Sequence, residues 1–268
     1  MVFAYHIPMV GFLIKKTFFD LWDNMFRIVF LNLGFIVSLA IPIFLPLLIP
    51  IPVLSMAILV AGFLWCCIYL SAAALSVTKL SDYGIFDFAD FRVNITTGWP
   101  AGIAAGIIGL ILFAVIRIII PFYLGMHSLF GLLIAVIIFW ILVLAVVSLQ
   151  FFFAIRARLD ARLSKIVKKC GIIFFDNPGF ALFTLLYTIV SLVLSLILAL
   201  LIPGPAGILL FLDEALRLRL LKYDWLEANP PADASVKRRT IPWDAILIDE
   251  REKTGTRSLR SLIFPWKD

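Results

Sequence analysis

No charged side chain occurs in the 51 residues between Arg27 and Lys79. A helix needs about 20 apolar residues to cross the roughly 30 Å hydrocarbon core of a bilayer. This stretch is long enough to cross twice. Further apolar runs follow after Pro100, Ser128 and Gly179. They are continuous and lack the period-two alternation of a membrane β-barrel, so they read as helices. Composition agrees. The chain is 63% hydrophobic and 15% charged, with mean hydropathy +1.09. A globular surface in water needs more charge than this. The expected fold is an all-α, polytopic transmembrane helix bundle with interfacial amphipathic helices.

Charge then orients the bundle. Twenty-two of the 23 lysines and arginines lie in residues 1–27, 79–100, 155–178 and 213–268, and only Arg117 falls outside. The apolar runs pair off so that all four blocks can lie on one side. Lys/Arg asymmetry marks that side as cytoplasmic. The expectation is a multi-pass membrane protein with both termini in the cytoplasm.

Three parts follow: an interfacial helix over 1–27 with Trp22 at headgroup level, a transmembrane domain over 28–227, and a cytoplasmic tail over 228–268. Span 1 covers Ile28 to Leu45 and bends or ends among Pro42, Pro46, Pro50 and Pro52. Span 2 covers Val53 to Val77. Residues 81–100 read as an interfacial loop, after which Pro100 opens span 3, Ala101 to Ile120, and Pro121 ends it. Span 4 runs from Leu129 to Ala154 and span 5 from Phe180 to Ile202. After Pro203-Gly204-Pro205 only seven apolar residues precede Asp213 and Glu214. Hydropathy alone gives five crossings. The charge rule gives six, with a short helix from Pro205 to Tyr223 in which Asp213 and Arg217 partly neutralise each other.

Candidate contact residues lie at the membrane surfaces. Arg156, Arg158, Arg162, Lys165, Lys168 and Lys169 alternate with apolar residues at helical spacing. They form a basic amphipathic helix suited to anionic headgroups. Because the basic residues flank apolar spans, nucleic acid is not an expected partner. Arg117 lies four residues before Pro121, where it either snorkels outward or binds an anion. The tail holds two apolar islands centred on Trp243 and Trp266. They either pack under the bilayer or dock a cytoplasmic protein. Asn32 and Gln150 read as helix–helix hydrogen-bonding residues, and Gly102-x-x-x-Gly106 as a packing face matched by Ala72–Ala74.

No cofactor or metal is expected. His6 and His127 fall on opposite sides of the membrane, and no Cys or acid stands at ligand spacing from either. No phosphate-binding, dinucleotide, zinc-protease or nucleophile-elbow motif occurs. Spans 1–5 contain no acid to couple an ion gradient. Three cysteines make no disulfide framework.

Several strings resemble the YesL-like family of bacterial integral membrane proteins. They are Trp22-Asp-Asn-Met-Phe-Arg-Ile-Val-Phe-Leu-Asn32, Phe86–Asn94, and Gln150-Phe-Phe-Phe-Ala-Ile-Arg-Ala-Arg158 followed by a basic helix and Asn177-Pro178. The likeness covers roughly residues 15–220. It implies a bacterial inner-membrane protein, linked in some members to carbohydrate uptake, with no catalytic residues to carry over. The expected role is a non-enzymatic accessory or scaffold, with a permease or transporter subunit as the alternative.

Overall fold

The computed structural model describes residues 7–230 and 241–255. Every regular element among them is helical. In chain order these are α1 (Ile7–Asp23), α2 (Met25–Phe44), α3 (Pro52–Ser81), α4 (Phe88–Ala114), α5 (Ile120–Leu124), α6 (Leu129–Leu149), α7 (Phe152–Arg158), α8 (Leu163–Asp176), α9 (Pro178–Ile197), α10 (Gly204–Ala228), α11 (Trp243–Ile246) and α12 (Ile248–Thr254). Five stretches are long and apolar enough to cross a membrane: Met25–Leu48, Pro52–Ser81, Phe88–Leu124, Leu129–Arg158 and Pro178–Ile197. The protein is a polytopic all-α membrane protein. The expected helix after Pro203 exists as α10, but its charge keeps it off this list.

The chain divides into two compact units, Asn24–Asp213 and Met1–Asp23 with Glu214–Asp268. These differ from the parts drawn at residues 27 and 227. The reason is that α10 is one continuous helix passing through the boundary, while α1 groups with C-terminal segments.

In the larger unit, α2, α3 and α4 are antiparallel neighbours in a definite register. Tyr69 donates its hydroxyl hydrogen to the Leu31 carbonyl at 2.8 Å, and the Trp65 indole donates to Ser38 at 3.2 Å. Ser71 donates to the Gly98 carbonyl at 2.8 Å, and Asn94 to Ser76 at 2.9 Å. The glycine face of α4 packs inside the bundle, on Ile68 and Cys67 of α3. A Cβ on Gly102 would stand 2.4 Å from the Ile68 Cα. Without side chains there, the two backbones approach closely.

Two prolines act differently from expectation. α4 starts at Phe88, well before Pro100, because Asp87 and Asp90 form a reciprocal capping box that nucleates the helix early. Near Pro100 the Gly98 carbonyl accepts from Ser71 and the Thr97 carbonyl from Arg156. Pro121 does not end the third span either. A π turn over Val115–Ile119 leads into α5, and Pro121 sits in the first turn of α5, where a missing N–H costs little.

The smaller unit contains α1, α11, α12 and the part of α10 from Glu214 onward. α1 is amphipathic in an inverted sense. Lys16, Thr17 and Asp20 are buried alongside Met9, Leu13 and Phe19, while Ile14, Phe18 and Trp22 are exposed at four-residue spacing. A water-soluble helix has the opposite arrangement.

Candidate functional site

The polar chemistry of the helical unit gathers at one end, where α3 finishes. Thr78, Lys79, Ser81 and Asp82 are polar residues there, at and just beyond the C-terminus of α3, and Lys79 pairs with Asp90 at 2.9 Å. Arg158, at the end of α7, reaches them and the buried Asp213 of α10 together. Its guanidinium donates to Asp213 at 2.9 and 2.5 Å, to Asp82 at 3.1 and 3.0 Å and to Ser81 at 2.9 Å. Thr78 completes the Asp213 shell at 2.9 Å. A forked guanidinium facing a carboxylate is the strongest of the common ion-pair geometries. Asp213 therefore pairs with Arg158, not with Arg217 as the i,i+4 spacing suggested. Arg217 instead pairs with Glu250 at 2.7 Å within the smaller unit. The Arg158 junction is a tether, since each of its charged groups is engaged by a protein partner.

A second polar constellation lies deeper, at the start of α10. Asn32 of α2 is fully buried. Its amide nitrogen donates to the carbonyls of Leu201 and Pro203 at 2.8 and 2.9 Å, and its oxygen accepts from the Ala206 N–H at 2.9 Å. Ser195 accepts from the Gly204 N–H at 3.0 Å. These bonds satisfy backbone groups left open by the irregular stretch Leu198–Pro203. Gly204 has φ +62°, and a Cβ there would stand 2.2 Å from the Asn32 amide nitrogen. Only glycine fits. Along α9, Thr184, Ser191 and Ser195 present buried hydroxyls on one face. Gln150 donates to the carbonyls of Val147 and Ala181, which ties the end of α6 to the start of α9.

In the smaller unit, Lys16 bridges Asp20 and Glu214, and Thr17 donates its hydroxyl hydrogen to Glu214. Lys16 and Glu214 have no exposed surface. Loss of water pushes the Glu214 carboxyl well above its ordinary value of 4.5. Asp20 adds to that push, while Lys16 and Thr17 oppose it.

The basic cluster expected as one amphipathic helix is split. Arg156 and Arg158 lie on α7, and a break at Leu159–Arg162 separates them from α8. Arg158 is consumed by the junction, and Arg156 donates to the Thr97 carbonyl at 3.1 Å. Lys165 and Lys169 both stand 3.7 Å from Asp160. The Arg162 N–H bonded to Asp160, with these two lysines, holds the Asp160 carboxyl below its ordinary value. Arg162 and Lys168 are exposed and make no ion pair among the described residues. α8 buries Ile166, Cys170, Ile173 and Phe174, and exposes Leu163, Val167, Ile172 and Phe175.

Arg117 is exposed in the π turn between exposed Ile116 and Ile118. Counted from the Ser71–Gly98 contact, it rises about 28 Å, as far as Pro52 does on α3. It therefore stands at the far end of the bundle from the Arg158 junction. Trp243 is buried in the smaller unit, with the Arg219 guanidinium 5.9 Å from its ring centre. Within the first tail island Trp243 and Leu247 are buried, whereas Ile248 is exposed. Trp266 and the second island lie outside the described residues, as do Lys237–Arg239 and His6.

Sequence reasoning missed the roles of Thr78, Ser81, Asp82, Thr17 and Glu214. Lys16 and Asp20 carried a visible signal, their i,i+4 spacing. The others carried none, because their partners are remote in sequence. No known family model, curated protein or solved structure matches this chain.

Proposed function

We propose that the protein is a non-enzymatic accessory or scaffold of the bacterial inner membrane, oriented with its junction end and both termini in the cytoplasm. The observation that carries this reading is the exposed surface of α8. It offers Lys168, with Arg162 at the cap just before the helix, together with Leu163, Val167, Ile172 and Phe175. A surface of that kind suits anionic headgroups and their acyl boundary. The resemblance to YesL-like proteins adds a carbohydrate-uptake assembly as the setting, with residues 228–268 as a route to a cytoplasmic partner.

The test is reconstitution of purified protein beside vesicles of graded phosphatidylglycerol content. Wild type should tether added anionic vesicles, and Arg162→Glu with Lys168→Glu should lose most of that tethering. Tethering that ignores lipid charge would remove the basis of the reading. The permease alternative has one observation in its favour, the broken stretch Leu198–Pro203 between α9 and α10. Discontinuous helices line substrate sites in transporters. Substrate flux in reconstituted vesicles would make that reading the stronger one.

A further inference from the structure

We infer that α9 and α10 form a re-entrant hairpin, which enters the bilayer from the face carrying the Arg158 junction and returns to it without crossing. Two independent observations lead there.

The first is depth. Asp213 and Thr78 are bonded, so α10 and α3 share a level at that point. From Thr78 back to Pro52, α3 rises about 39 Å, whereas from Asp213 back to Gly204, α10 rises only about 13 Å. The Asn32 bond gives the same answer by another route. Ala206 is held by Asn32, and the neighbouring Leu31 carbonyl is held by Tyr69. Tyr69 is also about 13 Å from Thr78 along α3. The Leu198–Pro203 turn therefore sits beside the middle of α2 and α3. Above it the α2–α3 hairpin continues, with Phe44, Leu47, Leu48 and Val53 exposed.

The second is sidedness. α1 and α12 belong to one compact unit, in which Lys15 donates to the Gly255 carbonyl at 3.3 Å and Lys16 reaches Glu214. Five complete crossings would place α1 and α12 on opposite faces. Six would need the turn before α10 at the far face, about 25 Å beyond its observed level. Four crossings and a hairpin satisfy both observations. Irregular backbone inside a bilayer requires internal partners for its polar groups. Asn32 and Ser195 supply them, so Asn32 is the latch of the hairpin.

The experiment uses the full chain with Cys66, Cys67 and Cys170 replaced by Ala, and a charged maleimide applied to sealed, right-side-out vesicles before and after permeabilisation. Single cysteines are placed at Met126 (α5–α6 turn), Ile85 (α3–α4 loop), Asp249 (α12) and Leu198, with Ala199→Cys as a second hairpin probe. The hairpin predicts that Met126→Cys reacts from one face. Ile85→Cys and Asp249→Cys should both react from the other, and Leu198→Cys and Ala199→Cys from neither until detergent denaturation. Reaction of the two hairpin probes from the Met126 face would overturn the inference in favour of six crossings. Reaction of Asp249→Cys from that face would overturn it in favour of five.

Discussion

Asn32→Ala removes three hydrogen bonds at once and leaves the Leu201 and Pro203 carbonyls and the Ala206 N–H without their side-chain partner. Water cannot readily replace the lost partner, because the site is fully buried. Leaving a buried polar group unpaired costs about 1–3 kcal/mol. Measured side-chain bonds within membranes average nearer 0.6 kcal/mol, since the unfolded chain finds other partners. The Pro203 carbonyl keeps the Gly207 N–H at 3.1 Å, so two groups are left unpaired and the third bond is lost at the smaller cost; the loss is bracketed at about 2–7 kcal/mol, with about 3–6 kcal/mol expected. Total stabilities are only about 5–15 kcal/mol. Asn32→Asp is the sharper variant. It keeps the shape and the acceptor for Ala206 but loses both donors, so it should be at least as damaging as Ala. The native thiols provide the assay. All three cysteines are buried, and burial pushes the Cys170 thiol up to about 12, so a thiol-reactive fluorogen reports unfolding in mild detergent. The midpoint should fall by roughly 10 °C or more, at about 2–4 °C per kcal/mol. A fall under about 2 °C for both variants would refute the latch.

Gly102→Ala should destabilise by about 3 kcal/mol or more, since its new methyl meets the Ile68 backbone. Gly109→Ala, which meets only the Phe63 ring at 3.2 Å, should cost under about 1 kcal/mol; equal losses in thermal unfolding would contradict the packing described. Arg158→Met should cost about 3–5 kcal/mol by stranding the buried Asp213, and adding Asp213→Leu should recover most of it in a double-mutant cycle. For Glu214 the folded state holds a proton more tightly than the unfolded chain, so its contribution is full below about pH 4.5 and is lost as pH rises through the folded value. Glu214→Gln should therefore flatten the fall in midpoint as pH rises above about 4.5, and an unchanged slope would argue against a raised carboxyl.

Local rules made most helices legible. Apolar runs located all five candidate crossings, and the small-residue spacing at Gly102 and Gly106 located a real contact. The prolines misled because each was judged alone. Asp87 and Asp90 begin α4 early enough for Pro100 to be interior, and a π turn accommodates Pro121. The polar network was illegible for a different reason. Arg158 and Asp213 are 55 positions apart, and Asn32 and Pro203 are 171 apart. No periodicity connects such pairs. Asn32 was legible as a hydrogen-bonding amide, but only the approach of the Leu201–Ala206 segment to α2 shows what it holds. The six basic residues of 156–169 read as one surface until a break in the helix and Asp160 divided them.

The closure of the smaller unit carries a consequence for synthesis. Lys16 and Thr17 emerge early from the ribosome, and their partner Glu214 emerges 198 and 197 positions later. At about 5–20 residues per second, that delay is roughly 10–40 s. During it α1 presents lysine and aspartate on one face and Ile14, Phe18 and Trp22 on the other. A nascent α1 can rest on lipid by its apolar face, but its polar side finds Glu214 only after that residue has been made. Any fragment released before that point carries α1 without the Glu214 that closes over Lys16 and Thr17.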